Sequence, residues 1–267
     1  MSAAPGLEAH LRARREAGHK LLVPYVTGGL GDDWLDAVHA VVAAGADAVE
    51  VGIPFSDPVM DGPTIQEASV RALAGGATPQ SVLADLAGLD VAVPVAVMTY
   101  TNPVAHLGFD RFAARLAEIG VAGAILPDLP LDELAVWGDP AAAHGVETVL
   151  LAAPTTPDDR LLRICECSQG FVYGVSLLGV TGERASLSGQ ALRMASRLKG
   201  ATDKPALLGV GISTPEQAVE ACTAADGVVI GSAVVRCLLG PGGADDAARF
   251  VAEVRAALDA AARVEVA

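Results

Sequence analysis

Two carboxylates, Glu50 and Asp61, have the residue types and the settings for acid and base chemistry. Glu50 lies within an apolar, β-branched run, and Asp61 follows eleven residues later in a loop rich in proline, glycine and aspartate. A buried carboxylate keeps its proton to a higher pH than an exposed one, so two acids in different environments can divide the acid and base roles. The pair is the first candidate for a catalytic site.

The strand around Glu50 predicts that this side chain points into the protein. Side chains of a strand alternate between its two faces, so Val49 and Val51 face away from Glu50. Burial of an unpaired carboxylate is costly unless the group is protonated or paired. A structural carboxylate held by backbone donors or an arginine is the alternative interpretation, and we favour a functional one.

The aspartates of the following loop admit other interpretations. Asp61 precedes a helix expected to begin near Pro63, and on sequence alone a turn or a helix cap explains it as well as catalysis does. Asp57, in Ser-Asp-Pro, suits a turn. We interpret Asp57 as structural or partner-contacting.

Other catalytic devices have little support in the sequence. Lys20 and Lys204 precede predicted strands, and Lys199 ends a predicted helix, so a Schiff-base lysine is not expected. His106 is the histidine that follows a strand closely, and we expect an exposed loop residue there. No metal site is predicted, since one histidine is poor support for a catalytic metal and the four cysteines lack paired metal-ligand spacing.

Alternating strands and helices must position these residues. Short apolar runs predict strands near 21–27, 48–53, 93–99, 123–127, 147–153, 171–176, 205–210 and 227–231. Amphipathic stretches predict helices near 7–17, 32–44, 64–74, 109–119, 131–144, 158–167, 189–199, 215–224 and 244–262. Without a linker between the units, this order favours a single (β/α)₈ TIM barrel domain over residues 1–267, with an extra N-terminal helix, over a doubly wound sheet.

Polar and glycine residues gather where the predicted strands end, at the face that carries barrel active sites. Among them are Thr27, Tyr100, Asp128 and Tyr173. A phosphate site is predicted from the glycine-rich corners 179–182, 209–211 and 231–232, because backbone amides at loops and helix N-termini hold phosphate without lysine or arginine.

Composition and charge narrow the possible partners. Hydrophobic residues make up 52% of the chain and aromatic ones 4%, which suits parallel strands buried on both faces. The net charge of −14 argues against nucleic acid and anionic membranes as partners. Neither a signal peptide nor an apolar run of the ~18–20 residues that span a bilayer is recognisable, so a cytoplasmic protein is expected.

The run from Ala48 to Gln66 resembles the alpha chain of tryptophan synthase, whose family carries a nearly identical Glu, Gly-Ile-Pro-Phe-Ser-Asp-Pro, Asp-Gly-Pro-Thr-Ile-Gln pattern. Further matching segments lie at 98–103, 127–130, 173–182, 209–217 and 231–233, in order from about Leu21 to Leu238. The resemblance implies retro-aldol cleavage of indole-3-glycerol phosphate to indole and glyceraldehyde 3-phosphate, without a metal or cofactor.

The resemblance also implies roles for individual residues. Glu50 would protonate indole C3 and take the side-chain hydroxyl proton, Asp61 would stabilise positive charge on the indole nitrogen, and Tyr173 would support the ring. The substrate-binding residues would include Tyr173 together with the loop and phosphate residues Thr181, Gly182, Gly211, Gly231 and Ser232. Thr181 would lie on a loop that closes over the substrate.

A partner is implied as well, a pyridoxal-phosphate-dependent beta chain in an alpha2beta2 complex. Asp57, Pro58, Asn102 and Pro130 would contact it, and the cofactor would belong to the beta chain.

This sequence departs from the family pattern at Tyr25, Val210 and Leu177-Leu178. These positions bear on the expected shape of the pocket and on the expected coupling to the partner. Three alternatives stay open: a stand-alone indole-3-glycerol-phosphate lyase of a specialised pathway, a non-catalytic phosphate-binding regulatory barrel, and, more weakly, a sugar-phosphate isomerase.

Overall fold

The computed structural model describes residues 6–175, 189–209 and 211–266, and its strands form a closed parallel barrel. The strands are β1 Leu21–Thr27, β2 Val49–Gly52, β3 Val95–Met98, β4 Gly123–Ile125, β5 Glu147–Ala152, β6 Val172–Val175, β7 Ala206–Gly209 and β8 Gly227–Ile230. They follow one another around the barrel in chain order, and β8 closes it on β1. The predicted (β/α)₈ architecture is confirmed, and every strand lies inside its predicted range.

Helices surround the barrel. Those in the described part of the chain are α1 Leu7–Glu16, α2 Trp34–Ala43, α3 Pro63–Ala74, α4 Pro79–Leu86, α5 Thr101–Leu107, α6 Phe109–Glu118, α7 Ala135–Ala143, α8 Asp158–Cys167, α9 Gly189–Ala201, α10 Pro215–Cys222, α11 Ser232–Leu239 and α12 Gly243–Val266, with a 3₁₀ helix at Leu131–Glu133. No described helix combines the length and the apolar character needed to cross a bilayer.

The helices differ from the predicted ranges in number and in division. The predicted ranges omit α4, α5 and α11, because segments of seven or eight residues are too short to show a clear helical period. A capping box at the start of α4, where Thr78 and Ser81 exchange hydrogen bonds, is a signal that could have revealed it. The single helix predicted over 131–144 is divided into the 3₁₀ helix and α7.

Strand side chains divide between two apolar layers, as alternation requires. Ala48 belongs to the inner layer inside the barrel, while Val49 and Val51 belong to the outer layer shared with the surrounding helices. Glu50 therefore points into the barrel, as predicted.

Helix α1 closes the barrel at the amino ends of the strands, and the predicted extra N-terminal helix is confirmed. Its residues Leu7 and Leu11 are fully buried in the inner layer. The Glu147 carboxylate accepts a hydrogen bond from the Glu8 backbone N–H at 2.8 Å, so a residue at the start of β5 caps α1. A side chain at Gly6, the N-cap, would overlap this carboxylate.

Candidate active site

A cavity of about 480 Å³ opens at the carboxyl ends of the strands. Six predicted site residues line it: Glu50, Asp61, Tyr173, Gly211, Gly231 and Ser232. The other lining residues are mostly apolar, and they include Ile65, Met98, Leu151, Ile212 and Val229. Apolar walls with a few convergent polar groups are typical of a small-molecule site.

Glu50 is buried at the centre of the site, with 1% of its surface exposed. Burial and, second, the charge of Asp61 raise the pKa of Glu50 to about 8. Its Oε2 atom is buried without a hydrogen-bond partner among the described residues. Glu50 is thus protonated at neutral pH and aimed into a ligand-sized space, which suits a proton donor. The Oε2 atom therefore gives no support to the alternative interpretation, in which backbone donors or an arginine hold a structural carboxylate.

Asp61 is half-buried on the loop between β2 and α3. Burial raises the pKa of Asp61 to about 6, and the nearby Tyr100 hydroxyl opposes that increase. The interpretation of Asp61 as a helix cap is wrong, since the N-cap of α3 is Gly62 and no side chain caps it. At neutral pH Asp61 is mostly ionised while Glu50 is mostly protonated.

The sequence places Tyr100 at the end of strand 3 but gives it no role, and the structure brings it to Asp61. Its hydroxyl accepts a hydrogen bond from the Met60 backbone N–H at 2.9 Å, which places it beside Asp61, the next residue of the loop. No periodicity or motif in the sequence signals this contact, because it depends on how the loop after β2 folds back over β3.

Two phenols, Tyr25 and Tyr173, stand in the cavity wall beside glycines of neighbouring strands. A methyl group at Gly52 would overlap the Tyr25 hydroxyl, and one at Gly209 would overlap the Tyr173 ring. Burial raises the pKa of both phenols well above the ordinary value, and the charges of Glu50 and Asp61 add to this. Both stay neutral at physiological pH. Of the sequence departures, Tyr25 lines the cavity, whereas Val210 and Leu177-Leu178 lie outside the described residues.

At the corner of the barrel predicted to hold phosphate, the groups available to bind an anion are backbone amides. Gly211 has φ of 72°, a conformation that favours glycine. Helix α11 begins at Ser232, directly after Gly231, and the first turn of a helix carries unpaired amides that attract anions. The described residues that line the cavity include no lysine or arginine. Thr181 and Gly182 lie outside the described residues.

The residues predicted to contact a partner lie outside the cavity on the same side of the barrel. Asp57, Asn102 and Pro130 are exposed, and Pro58 is half-buried. They follow the carboxyl ends of β2, β3 and β4.

The three lysines serve the scaffold and do not line the cavity. Lys20 donates to the Cys222 carbonyl oxygen at 2.8 Å, Lys204 donates to carbonyls at the end of α8, and Lys199 pairs with Asp226 at 2.7 Å. His106 is exposed as predicted, but it lies in α5 and not in a loop.

This chain is similar to known proteins of one family. The family model described as tryptophan synthase alpha chain matches residues 11–262. The tryptophan synthase alpha chain of Streptomyces avermitilis is 45% identical over 250 residues, which cover 92% of this chain and 89% of that relative. The alpha chain of Thermobifida fusca is 40% identical over 267 residues, covering 96% and 99%.

Solved structures agree with the sequence relatives. A structure of Mycobacterium tuberculosis tryptophan synthase superposes with a TM-score of 0.88 at 37% identity, over 94% of this chain and 97% of that one. Tryptophan synthase subunit alpha of Legionella pneumophila superposes with a TM-score of 0.86 at 31% identity, over 96% of this chain and 100% of that one.

Proposed function

The chain belongs to the family of tryptophan synthase alpha chains, and we propose that its Glu50 and Asp61 perform the family's reaction in the cavity described above. That reaction is the carbon–carbon lyase step of tryptophan biosynthesis, in which indole-3-glycerol phosphate is cleaved to indole and glyceraldehyde 3-phosphate. The observation that carries the proposal is the presence in one cavity of two acids that hold different protonation states at neutral pH.

The proposed cleavage begins with proton donation. Protonated Glu50 delivers its proton to indole C3, and the ring nitrogen takes up the positive charge. Ionised Asp61 stabilises that charge. The Glu50 carboxylate then removes the proton of the side-chain hydroxyl next to the breaking bond, a carbonyl forms at that carbon, and the C3–carbon bond breaks. Its electron pair returns to the ring, which restores neutral aromatic indole, and Glu50 ends protonated as it began.

The walls of the cavity suit the two ends of this substrate. We assign the indole ring to the apolar side, where Ile65 and Met98 line the cavity and Tyr173 supports the ring. We assign the phosphate to the amides of Gly211, Gly231 and Ser232. The family pattern adds Thr181 and Gly182 to the phosphate loop.

A beta chain is the proposed partner. Solved relatives include tryptophan synthase structures, and the family pattern gives an alpha2beta2 complex in the cytoplasm. The surface proposed for this contact carries Asp57, Pro58, Asn102 and Pro130. Indole released at the cavity would pass to that chain, whose pyridoxal phosphate supplies the chemistry that joins indole to serine. The alpha chain itself then needs no cofactor.

Indole release from indole-3-glycerol phosphate tests the proposal, measured with the purified chain alone and with a beta chain from the same organism. We expect slow release by the chain alone and a strong increase with the beta chain. Fast release by the chain alone would identify a stand-alone lyase. No release under either condition would contradict the proposed function and leave a phosphate-binding barrel.

A further inference from the structure

We propose that Gln217 is a positioning residue for the β7–α10 loop, described over residues 211–214, which presents backbone amides to the substrate phosphate. The inference rests on the proposed function and deepens its assignment of the phosphate to this corner. Gln217 is the third residue of α10 and is 5% exposed. It does not line the cavity, whereas Gly211 and Ile212 of the loop do. Its effect on a ligand therefore passes through the loop.

Two amides of this loop are unpaired where the loop meets the cavity. Among the described residues, neither the Gly211 N–H nor the Ile212 N–H has a hydrogen-bond acceptor. Ile212 is 3% exposed, and an unpaired N–H in a buried residue is costly. An anion in the cavity would supply the missing acceptor, since successive backbone N–H groups next to a residue in a left-handed conformation form anion-binding hollows. Gly211, with φ of 72°, provides that conformation.

The side chain of Gln217 holds the residue that follows these amides. Its Oε1 atom accepts from the Ser213 backbone N–H at 2.8 Å and from the Ser213 hydroxyl at 3.0 Å. A backbone N–H can only donate, so the oxygen of the Gln217 amide must face Ser213. Both donors of Ser213 are thus attached to one buried side chain, directly after Ile212.

Helix α10 is a firm support for this contact. Its residues Ala218 and Ala221 are fully buried in the outer layer of the barrel. Thr214, the N-cap, accepts from the Gln217 N–H through its hydroxyl at 3.3 Å and from the Ala218 N–H through its carbonyl at 3.2 Å. These first-turn amides already have acceptors within the protein, which leaves the amides of Gly211 and Ile212 for the phosphate.

The hydrogen bonds of Gln217 could also serve only to cap the helix, and α4 offers a matched case of that role. Ser81 is the third residue of α4, and its hydroxyl accepts from the Thr78 N–H at 2.9 Å. No residue of α4 lines the cavity. Ser81→Ala therefore removes the same kind of bond without touching the loop that faces the ligand.

The variant Gln217→Met tests the inference because it keeps the length of the side chain and removes the acceptor. Two probes separate the ends of the substrate: 3-(indol-3-yl)propyl phosphate and the phosphate-free 3-(indol-3-yl)propanol. We expect the Kd of the phosphorylated probe to rise about tenfold, since the loop loses two hydrogen bonds, and that of the phosphate-free probe to stay within about twofold. For cleavage, KM should rise by a similar factor with little change in kcat, because the phosphate lies away from the breaking bond.

The outcomes are distinct from a general loss of stability. Ser81→Ala should lower the urea midpoint and leave both Kd values unchanged. An unchanged Kd for the phosphorylated probe in folded Gln217→Met would overturn the inference, and so would an equal loss for both probes. A wild-type chain that binds both probes equally well would overturn it too, because the corner would then hold no phosphate.

A second variant, Ser213→Ala, approaches the same contact from the loop. It removes the hydroxyl donor and keeps the N–H, so the Kd of the phosphorylated probe should rise only about threefold. In the Gln217→Met background it should have no further effect, because the acceptor that the two residues share is gone. Equal effects in both backgrounds would overturn the inference. Failure of the proposed function looks different, since the wild-type chain would then release no indole while the binding measurements still report on Gln217.

Discussion

The charge of Asp61 raises the pKa of Glu50 across the cavity, although the two residues belong to different elements, a strand and the loop that follows it. Burial makes the larger contribution, and the neighbouring carboxylate adds to it. Ionisation of one acid therefore keeps the proton on the other. The arrangement yields one ionised and one protonated group near pH 7, which is the pairing that a proton-donating lyase requires.

Cleavage should show a bell-shaped dependence of kcat/KM on pH. Asp61 must be ionised, so the rate should rise with pH through about 6, and Glu50 must be protonated, so it should fall through about 8. The maximum should lie near pH 7. Steady-state rates from pH 5 to 9 would check this, and a rate that keeps rising above pH 9 would contradict a protonated Glu50 as the donor.

Asp61→Asn should alter both limbs of that profile. The acidic limb should disappear, because the group that titrates there is gone. The alkaline limb of the residual activity should move to lower pH, since Glu50 loses the neighbouring charge that raises its pKa. The rate at the maximum should fall by about 10²–10³-fold, the range for loss of one preorganised electrostatic group. A wild-type rate would make Asp61 a structural loop residue.

Glu50→Gln should abolish cleavage while leaving the fold and ligand binding intact. Glutamine keeps the shape of the side chain but has no proton to donate, so kcat should fall about 10²–10⁴-fold. Calorimetric titration with a phosphorylated indole that lacks the side-chain hydroxyls should give a Kd close to that of the wild-type chain. Retention of more than a tenth of the wild-type rate would show that another group is the acid.

The sequence allows the barrel and its two acids to be predicted for reasons that are local. Alternation within β2 is enough to turn Glu50 inward, because Val49 and Val51 must face the helices. Eight apolar runs separated by helical segments favour the closed sheet over a doubly wound one, and the structure confirms the closed sheet. These patterns repeat at short range and need no knowledge of the loops.

Contacts between segments distant in the sequence could not be predicted in this way. The Tyr100 hydroxyl accepts a hydrogen bond from the Met60 N–H because the β2–α3 loop folds over the end of β3, and nothing in either segment encodes that contact. Glu147 caps α1 from a strand 139 residues away. In both cases the topology of the barrel, and not spacing along the chain, determines which two residues come into contact.

Gly52→Ala should damage both stability and activity, because the new methyl group would overlap the Tyr25 phenol. Overpacking of this kind costs ~1–3 kcal/mol, and a phenol displaced toward the cavity that it lines would reduce the space for the substrate. Urea unfolding and kcat/KM would measure the two effects. Gly200→Ala is the matched control, since nothing lies within 4 Å of a methyl group there, and it should stabilise α9 by ~0.5–1 kcal/mol.

The double variant Gly52→Ala/Tyr25→Leu separates this clash from other causes. If the overlap is responsible, removing the phenol should recover part of the lost stability, with a coupling energy of about 0.5–3 kcal/mol between the two sites. Additive losses would mean that the glycine is needed for another reason.

The Asp47→Asn variant should unfold more easily than the wild-type chain and should keep the wild-type rate of cleavage. Asp47 is 1% exposed at the opposite face from the cavity, where it accepts from Arg14 at 2.6 Å, from the Leu22 N–H at 2.9 Å and from Arg255 at 3.3 Å. Neutralising it weakens charge-assisted hydrogen bonds to Arg14 and to the largely buried Arg255, which keeps its ion pair with Asp259 at 2.6 Å, so the expected cost is ~1.5–3 kcal/mol.

The comparison for Asp47→Asn is Asp203→Asn, which breaks the ion pair with Arg12. Because the Asp203 side chain is 87% exposed, its loss should cost less than ~1 kcal/mol. Urea midpoints should therefore fall strongly for the first variant and little for the second, while kcat at 25 °C stays at the wild-type value in both. Strand β2, which carries Glu50, begins two residues after Asp47. A loss of kcat in folded Asp47→Asn would therefore mean that the amino-terminal face of the barrel also controls the geometry around Glu50.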